Sequence, residues 1–141
     1  MDKIVVRDLK DTQKFAKVFS KILKGGDVVL LSGDLGAGKT TFVKYILKYL
    51  GVKSEITSPT FTIMREYNTK KFDIYHFDMY RLASGVEAME FGLEDYIFSK
   101  NPRSLVFIEW AENIQDILVG KYINVNISMQ DDGSRLISVD R

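Results

Sequence analysis

Eight consecutive residues of this chain have the types and spacing to hold phosphate. Gly33-Asp34-Leu35-Gly36-Ala37-Gly38-Lys39-Thr40 fits G-x-x-x-x-G-K-[ST], in which glycines let backbone N–H groups approach phosphate oxygens at a helix N-terminus. In that pattern the lysine reaches the β and γ phosphates and the hydroxyl meets Mg²⁺. Gly36, Ala37, Gly38, Lys39, Thr40 and Thr41 are therefore the expected nucleotide contacts, with ATP or ADP and Mg²⁺ as ligands. The dinucleotide pattern G-x-G-x-x-G is not met. Such a loop also needs an acid at the end of a neighbouring strand to hold the cation, directly or through water. Glu109, following Leu105-Val106-Phe107-Ile108, is the candidate. Aspartate is the commoner residue there, and an ordinary charged strand end is the competing reading. Trp110 either joins the core or walls the site.

A second cluster is His76-Phe77-Asp78-Met79-Tyr80-Arg81. Strand geometry would put His76, Asp78 and Tyr80 on one face. A lone histidine is more often a satisfied structural hydrogen-bonder than a catalyst, and that reading is preferred for His76. Asp78 could orient a water or support Mg²⁺, with a salt bridge to Arg81 as the rival role. Thr57-Ser58-Pro59-Thr60-Phe61 places hydroxyls and a rigid proline on a connection. It reads most simply as a turn, with a nucleotide-sensing switch as the alternative. The acidic run Glu87, Glu90, Glu94 and Asp95 is a solvated face or a helix start.

The elements that must position these residues follow from periodicity. Phe15, Val18, Phe19, Ile22 and Leu23 recur at helical spacing between Asp11 and Gly26, with Asp11 or Thr12 as cap and Gly25-Gly26 as stop. Val28 to Leu31 form an apolar run suited to a strand buried on both faces of a parallel sheet. Phe42, Val43, Ile46, Leu47 and Leu50 then mark a helix face ending at Gly51, so the order is strand, glycine loop, helix. ITSPTFTIMREY and FDIYHFDMY, separated by Asn68-Thr69-Lys70-Lys71, predict a hairpin. Residues 86–98 predict one or two short helices around Gly92. Leu105–Ile108 predict a second buried strand, and residues 123–139 a hairpin turning at Asp132-Gly133. The expected fold is an α/β, P-loop NTPase-like mixed sheet flanked by helices, with an antiparallel portion, forming one domain over 1–141.

Composition bounds the function. The chain has 141 residues, 45% of them hydrophobic, enough for one core. Twenty basic residues against 19 acidic ones argue against an independent binder of RNA, DNA or acidic membrane, although a local basic patch could hide in that sum. Cysteine is absent, which removes disulfides and thiolate metal sites. The start MDKIVVRDLKD lacks a secretory h-region and no window approaches the ~20 apolar residues of a membrane span, so a cytoplasmic location is expected.

Taken together, GDLGAGKTT at 33–41, SPTF at 58–61, HFDMYRL at 76–82 and IEWAE at 108–112 resemble the bacterial ATPase family of tRNA threonylcarbamoyladenosine biosynthesis, TsaE. The resemblance covers essentially the whole chain in order and spacing. It implies ATP hydrolysis in support of a complex with TsaB and TsaD, which places a threonylcarbamoyl group on tRNAs reading codons that start with A. It implies Mg²⁺ at Thr40 and Glu109, and Asp78 and Thr60 as parts of the hydrolytic site beside Lys39. By position, Thr12 and Arg135 match adenine-side contacts. Near-neutral charge then suits a protein that meets tRNA through partners, while Lys44, Lys48 and Lys53 read as solvated helix lysines or aids at a surface. Two other classes stay in view. A small-molecule kinase would need an acceptor pocket and lid, for which residues 82–100 are the evident space. A regulatory module would bind nucleotide without turnover.

Overall fold

The structure is a computed structural model describing residues 2–34, 36–57 and 63–141. Its frame is one seven-stranded sheet. The strands, in chain order, are β1 (Asp2–Val6), β2 (Val28–Gly33), β3 (Met64–Asn68), β4 (Asp73–Asp78), β5 (Ser104–Glu109), β6 (Ile123–Met129) and β7 (Arg135–Asp140). They are arranged β1-β7-β6-β2-β5-β4-β3. β6, β2, β5 and β4 run parallel, while β3 adds antiparallel to one side and β7 and β1 to the other. The expected antiparallel portion is therefore two edges around a parallel centre.

β2 lies in the middle because Val28–Leu31 bury both faces, as a strand paired in parallel on both sides requires. One sheet face carries α1 (Leu9–Ile22) and α2 (Lys39–Tyr49) over a core containing Val29, Leu31, Ile74, Phe107 and Val125. Phe42 stacks on Phe15 at 5.7 Å between ring centroids and meets Phe19 at 5.6 Å, which locks the two helices together. The other face carries α3 (Gly85–Glu90), α4 (Glu94–Ile97) and a 3-10 segment, Ala111–Ile117, over Val28, Leu30, Phe77, Val106 and Ile108.

Several boundaries differ from the sequence reading. α1 is capped by Asp8, whose carboxylate accepts from the Asp11 amide at 2.9 Å. Asp11 instead reaches back to the Arg7 amide at 3.1 Å, so two orphan donors are satisfied by two aspartates. Thr12 does not cap either: its hydroxyl donates to the Asp8 carbonyl. The helix stops at Ile22, before the glycines. The hairpin of β3 and β4 is present with Asn68 opposite Asp73; its first strand spans Met64–Asn68, and residues 58–62 of the expected strand lie outside the described residues. β1 was not anticipated. Only Val6 of its five residues is buried, so it lacks the alternation that marks a strand and is held by pairing with β7. Gly92, at φ 79°, separates α3 from α4 as expected. Three of the four acidic residues start these helices, Glu87 in the first turn of α3 and Glu94 and Asp95 in that of α4, while Glu90 ends α3.

Candidate functional site: a phosphate-binding cleft

β2 ends at Gly33 and delivers the chain to α2 through residues 34–38. Gly36 and Gly38 have φ of 80° and 103°, a region closed to most L-residues, so the loop needs glycine at both positions to take this path. No side chain caps α2, which leaves first-turn N–H groups and the positive end of the helix facing the cleft. The cleft holds about 400 Å³ and is lined by loop residues 36–41 together with Asp78, Glu109, Trp110 and Arg135. Val6, Leu9, Thr12, Ile127 and Ile137 also line it. Thr12 and Arg135, far apart in sequence, thus share this cleft with the loop. Thr60, with Ser58, Pro59 and Phe61, lies outside the described residues, as does Leu35 of the loop.

Lys39 is buried, yet fully engaged. Its ammonium donates to the Gly33 carbonyl and, at 3.1 Å, to that of Asp34, and it sits 3.9 Å from the Trp110 ring centroid. Burial pushes its pKa below the usual lysine value, while Glu112, Glu109, Asp34 and Asp78 pull it back up. Trp110 therefore walls the site and also packs, partly buried, against the core of the α3–α4 face, so both of its readings are met. Its own ring meets Tyr80 at 4.9 Å, and its backbone is left-handed at φ 59°. Ile63, whose carbonyl accepts from the Asp78 amide at 2.9 Å, is the other non-glycine residue at positive φ among those described. Both strained residues thus touch this region, and backbone strain persists only where its surroundings enforce it.

Glu109 closes the far side. β5 neighbours β2, with Leu31 opposite Glu109, so the strand end places the carboxylate beside the start of α2. Its Oε1 accepts from Thr40 Oγ1 at 2.7 Å, and its Oε2 lies 2.5 Å from His76 Nε2. Glu109 and His76 are almost wholly buried, at 2% and 0% exposure. The expected one-face row holds for His76 and Asp78, but the strand ends at Asp78. Tyr80 follows in a turn whose amide donates to Asp78 Oδ1 at 2.9 Å. Ion pairs between described residues include His76–Glu109 and Arg103–Asp73.

The donor set suits Mg²⁺. Because the Thr40 hydroxyl spends its proton on Glu109, its lone pairs remain available to a hard cation. No group of three or more His, Cys, Asp or Glu able to hold a metal occurs among the described residues. For the nucleotide, the buried Nε of Arg135 has no hydrogen-bond partner, while its Nη2 donates to the Gly36 carbonyl at 3.3 Å. An unsatisfied donor therefore lies at the loop.

His76 is a buried hydrogen-bonder, as its preferred reading has it, and the pairing of β4 with β5 identifies its partner as Glu109. Glu112, undervalued from sequence inside the IEWAE stretch, accepts from the Gly33 amide at 3.4 Å and is the strongest carboxylate influence on Lys39. An acid three residues beyond Glu109 was the available signal.

A glycine loop leaving the central strand of a mixed sheet, with its threonine bonded to an acid on the adjacent strand, defines a P-loop NTPase-like protein. The fold agrees with a solved structure described as Bacillus subtilis YdiB. The match has a TM-score of 0.81 and 33% sequence identity, and covers 98% of this chain and 83% of the other. The sequence model of the family described as threonylcarbamoyl adenosine biosynthesis protein TsaE matches residues 6–137. Three relatives carry the description tRNA threonylcarbamoyladenosine biosynthesis protein TsaE. That of Rickettsia prowazekii (strain Madrid E) is 44% identical, covering 94% of this chain and 90% of the relative. That of Haemophilus influenzae is 41% identical over 91% and 80%, and that of Bacillus subtilis (strain 168) is 37% identical over 92% and 78%. The chain belongs to the TsaE family.

Proposed function

We propose that this protein is a Mg²⁺-dependent ATPase whose turnover supports threonylcarbamoylation of adenosine in tRNAs reading codons that start with A. It acts in the cytoplasm with TsaB and TsaD and meets tRNA through that complex. The observation that carries the reading is the 2.7 Å hydrogen bond from Thr40 to Glu109 at the mouth of the glycine loop. It joins the glycine loop directly to the acid that would hold the cation. Family membership supplies the tRNA context.

The residues divide the work by position. Loop amides and Lys39 hold the phosphates, Thr40 and Glu109 hold the cation, and Thr12 and Arg135 flank the adenine side. Asp78, on the cleft wall, orients the attacking water. Thr60 completes the hydrolytic site, a role that rests on the family resemblance alone. Bound between Thr40, Glu109 and the phosphates, Mg²⁺ would neutralise charge developing on the β and γ oxygens. Trp110 and buried Glu109 keep bulk water from the Lys39 side, where a lower dielectric strengthens these contacts. Turnover by the isolated protein is expected to be slow. Arg135, the arginine among the described lining residues, bonds a loop carbonyl, and an arginine acting on transition-state charge would have to come from elsewhere.

The test is tRNA modification reconstituted with TsaB and TsaD, comparing ATP, a non-hydrolysable analogue and the Glu109→Ala variant. Activity with ATP alone, lost in the variant, is the expected result. Lys39→Ala should abolish ATP binding and modification together, and unchanged values for both would sink the reading. Transfer of the γ-phosphate to a small metabolite, rather than its release as inorganic phosphate, would favour a kinase.

A further inference from the structure

We infer that His76 is a positioning residue that locks the Glu109 carboxylate in the orientation needed for cation binding, and does so by donating its Nε2–H to Oε2. The inference rests on the reading above, in which Thr40 and Glu109 hold Mg²⁺ with the nucleotide. Glutamate's terminal torsion is broad and offers little preference of its own. With Oε2 held at 2.5 Å by His76, Oε1 stays in place as acceptor for Thr40 Oγ1 at 2.7 Å. The hydroxyl proton then points at the carboxylate and its lone pairs face the cleft. Both members of the pair are buried, so water is poorly placed to replace the imidazole. His76 shares its sheet face with Ile74 and Phe107, where an apolar side chain would pack without leaving an unsatisfied atom. The ring instead keeps a buried Nδ1 with no hydrogen-bond partner, which favours a role carried by Nε2.

The chain has one histidine and one tryptophan, so both report without ambiguity. Long-range ¹H–¹⁵N NMR of the nucleotide-free protein should show a proton on Nε2, and a proton on Nδ1 alone would overturn the inference. Mg²⁺ titration of the ADP-bound protein, followed by Trp110 fluorescence, supplies the second readout. His76→Leu should weaken Mg²⁺ binding about 10- to 100-fold while Mg²⁺-free ADP still binds. His76→Gln, whose amide offers an N–H at similar reach, should recover most of that loss. A folded His76→Leu with wild-type Mg²⁺ affinity, or a folded His76→Gln as weak as His76→Leu, refutes it. Should His76→Leu fail to fold, the tautomer and His76→Gln still decide. Wild-type protein that binds ADP with no response to Mg²⁺ would remove the Thr40–Glu109 reading itself, whereas a normal wild type with normal variants removes only His76.

Discussion

At Lys39 burial and charge oppose each other. Burial favours the neutral amine and lowers its pKa, and Glu112 leads the carboxylates that resist this. For folding, the penalty on the buried ammonium is complete below the folded-state pKa. It fades as pH rises through that value toward the unfolded one, so this group's contribution becomes less unfavourable at alkaline pH. Nucleotide binding has the opposite dependence. Phosphate needs the ammonium, so affinity should fall as pH climbs through the pKa of Lys39 in the free protein, and ATP should raise that pKa. NMR titration of the Lys39 side chain with and without ATP measures both effects, and an unmoved pKa would contradict phosphate contact. Individual residue identities were the most legible layer in the sequence, because the loop motif is contiguous and its chemistry needs those types in that order. The partner of His76 was not legible, since it is 33 positions away.

Among elements, the junction of β2 with the loop is the least tolerant of change. Gly33 has φ 137° and lies opposite Ile127 of β6. A Cβ at Gly33 would collide with the Ile127 carbonyl oxygen, a backbone atom that moves only if the strand does. Gly33→Ala should therefore destabilise the fold by roughly 1–3 kcal/mol. Urea unfolding measures this, and a neutral result would mean the strand pair can separate without cost. Helices and buried strands were readable because their apolar periodicity is strong: β2, β5 and α2 fall where the pattern placed them. β1 and the 3-10 segment were not, because one is an exposed edge held by its partner and the other is too short to carry a period.

Across the whole molecule the cleft draws on α1, α2 and the loop before it, the ends of β1, β4 and β5, and the β6–β7 pair. A ligand there ties both halves of the sheet together. MgATP at about a hundredfold excess over Kd should add about 2.7 kcal/mol of stability, read as a rise in Tm. Lys39→Ala should lose that rise, and a wild type with no shift would argue against nucleotide in this cleft. The net charge of +1 speaks only to long-range attraction and left the site untouched. No helix among the described residues is long and apolar enough to cross a membrane.

GDLGAGKTT, by itself, determined that a loop with its lysine and threonine would stand between a strand and a helix, since backbone freedom and side-chain chemistry are local properties of nine residues. It could not determine which strand would lie beside it. Tertiary structure decided that β5 is the neighbour, that Glu109 therefore meets Thr40, and that β4 brings His76 to the same carboxylate. Sheet order is set by how faces bury against two helical layers, an outcome of the entire chain rather than of any stretch within it.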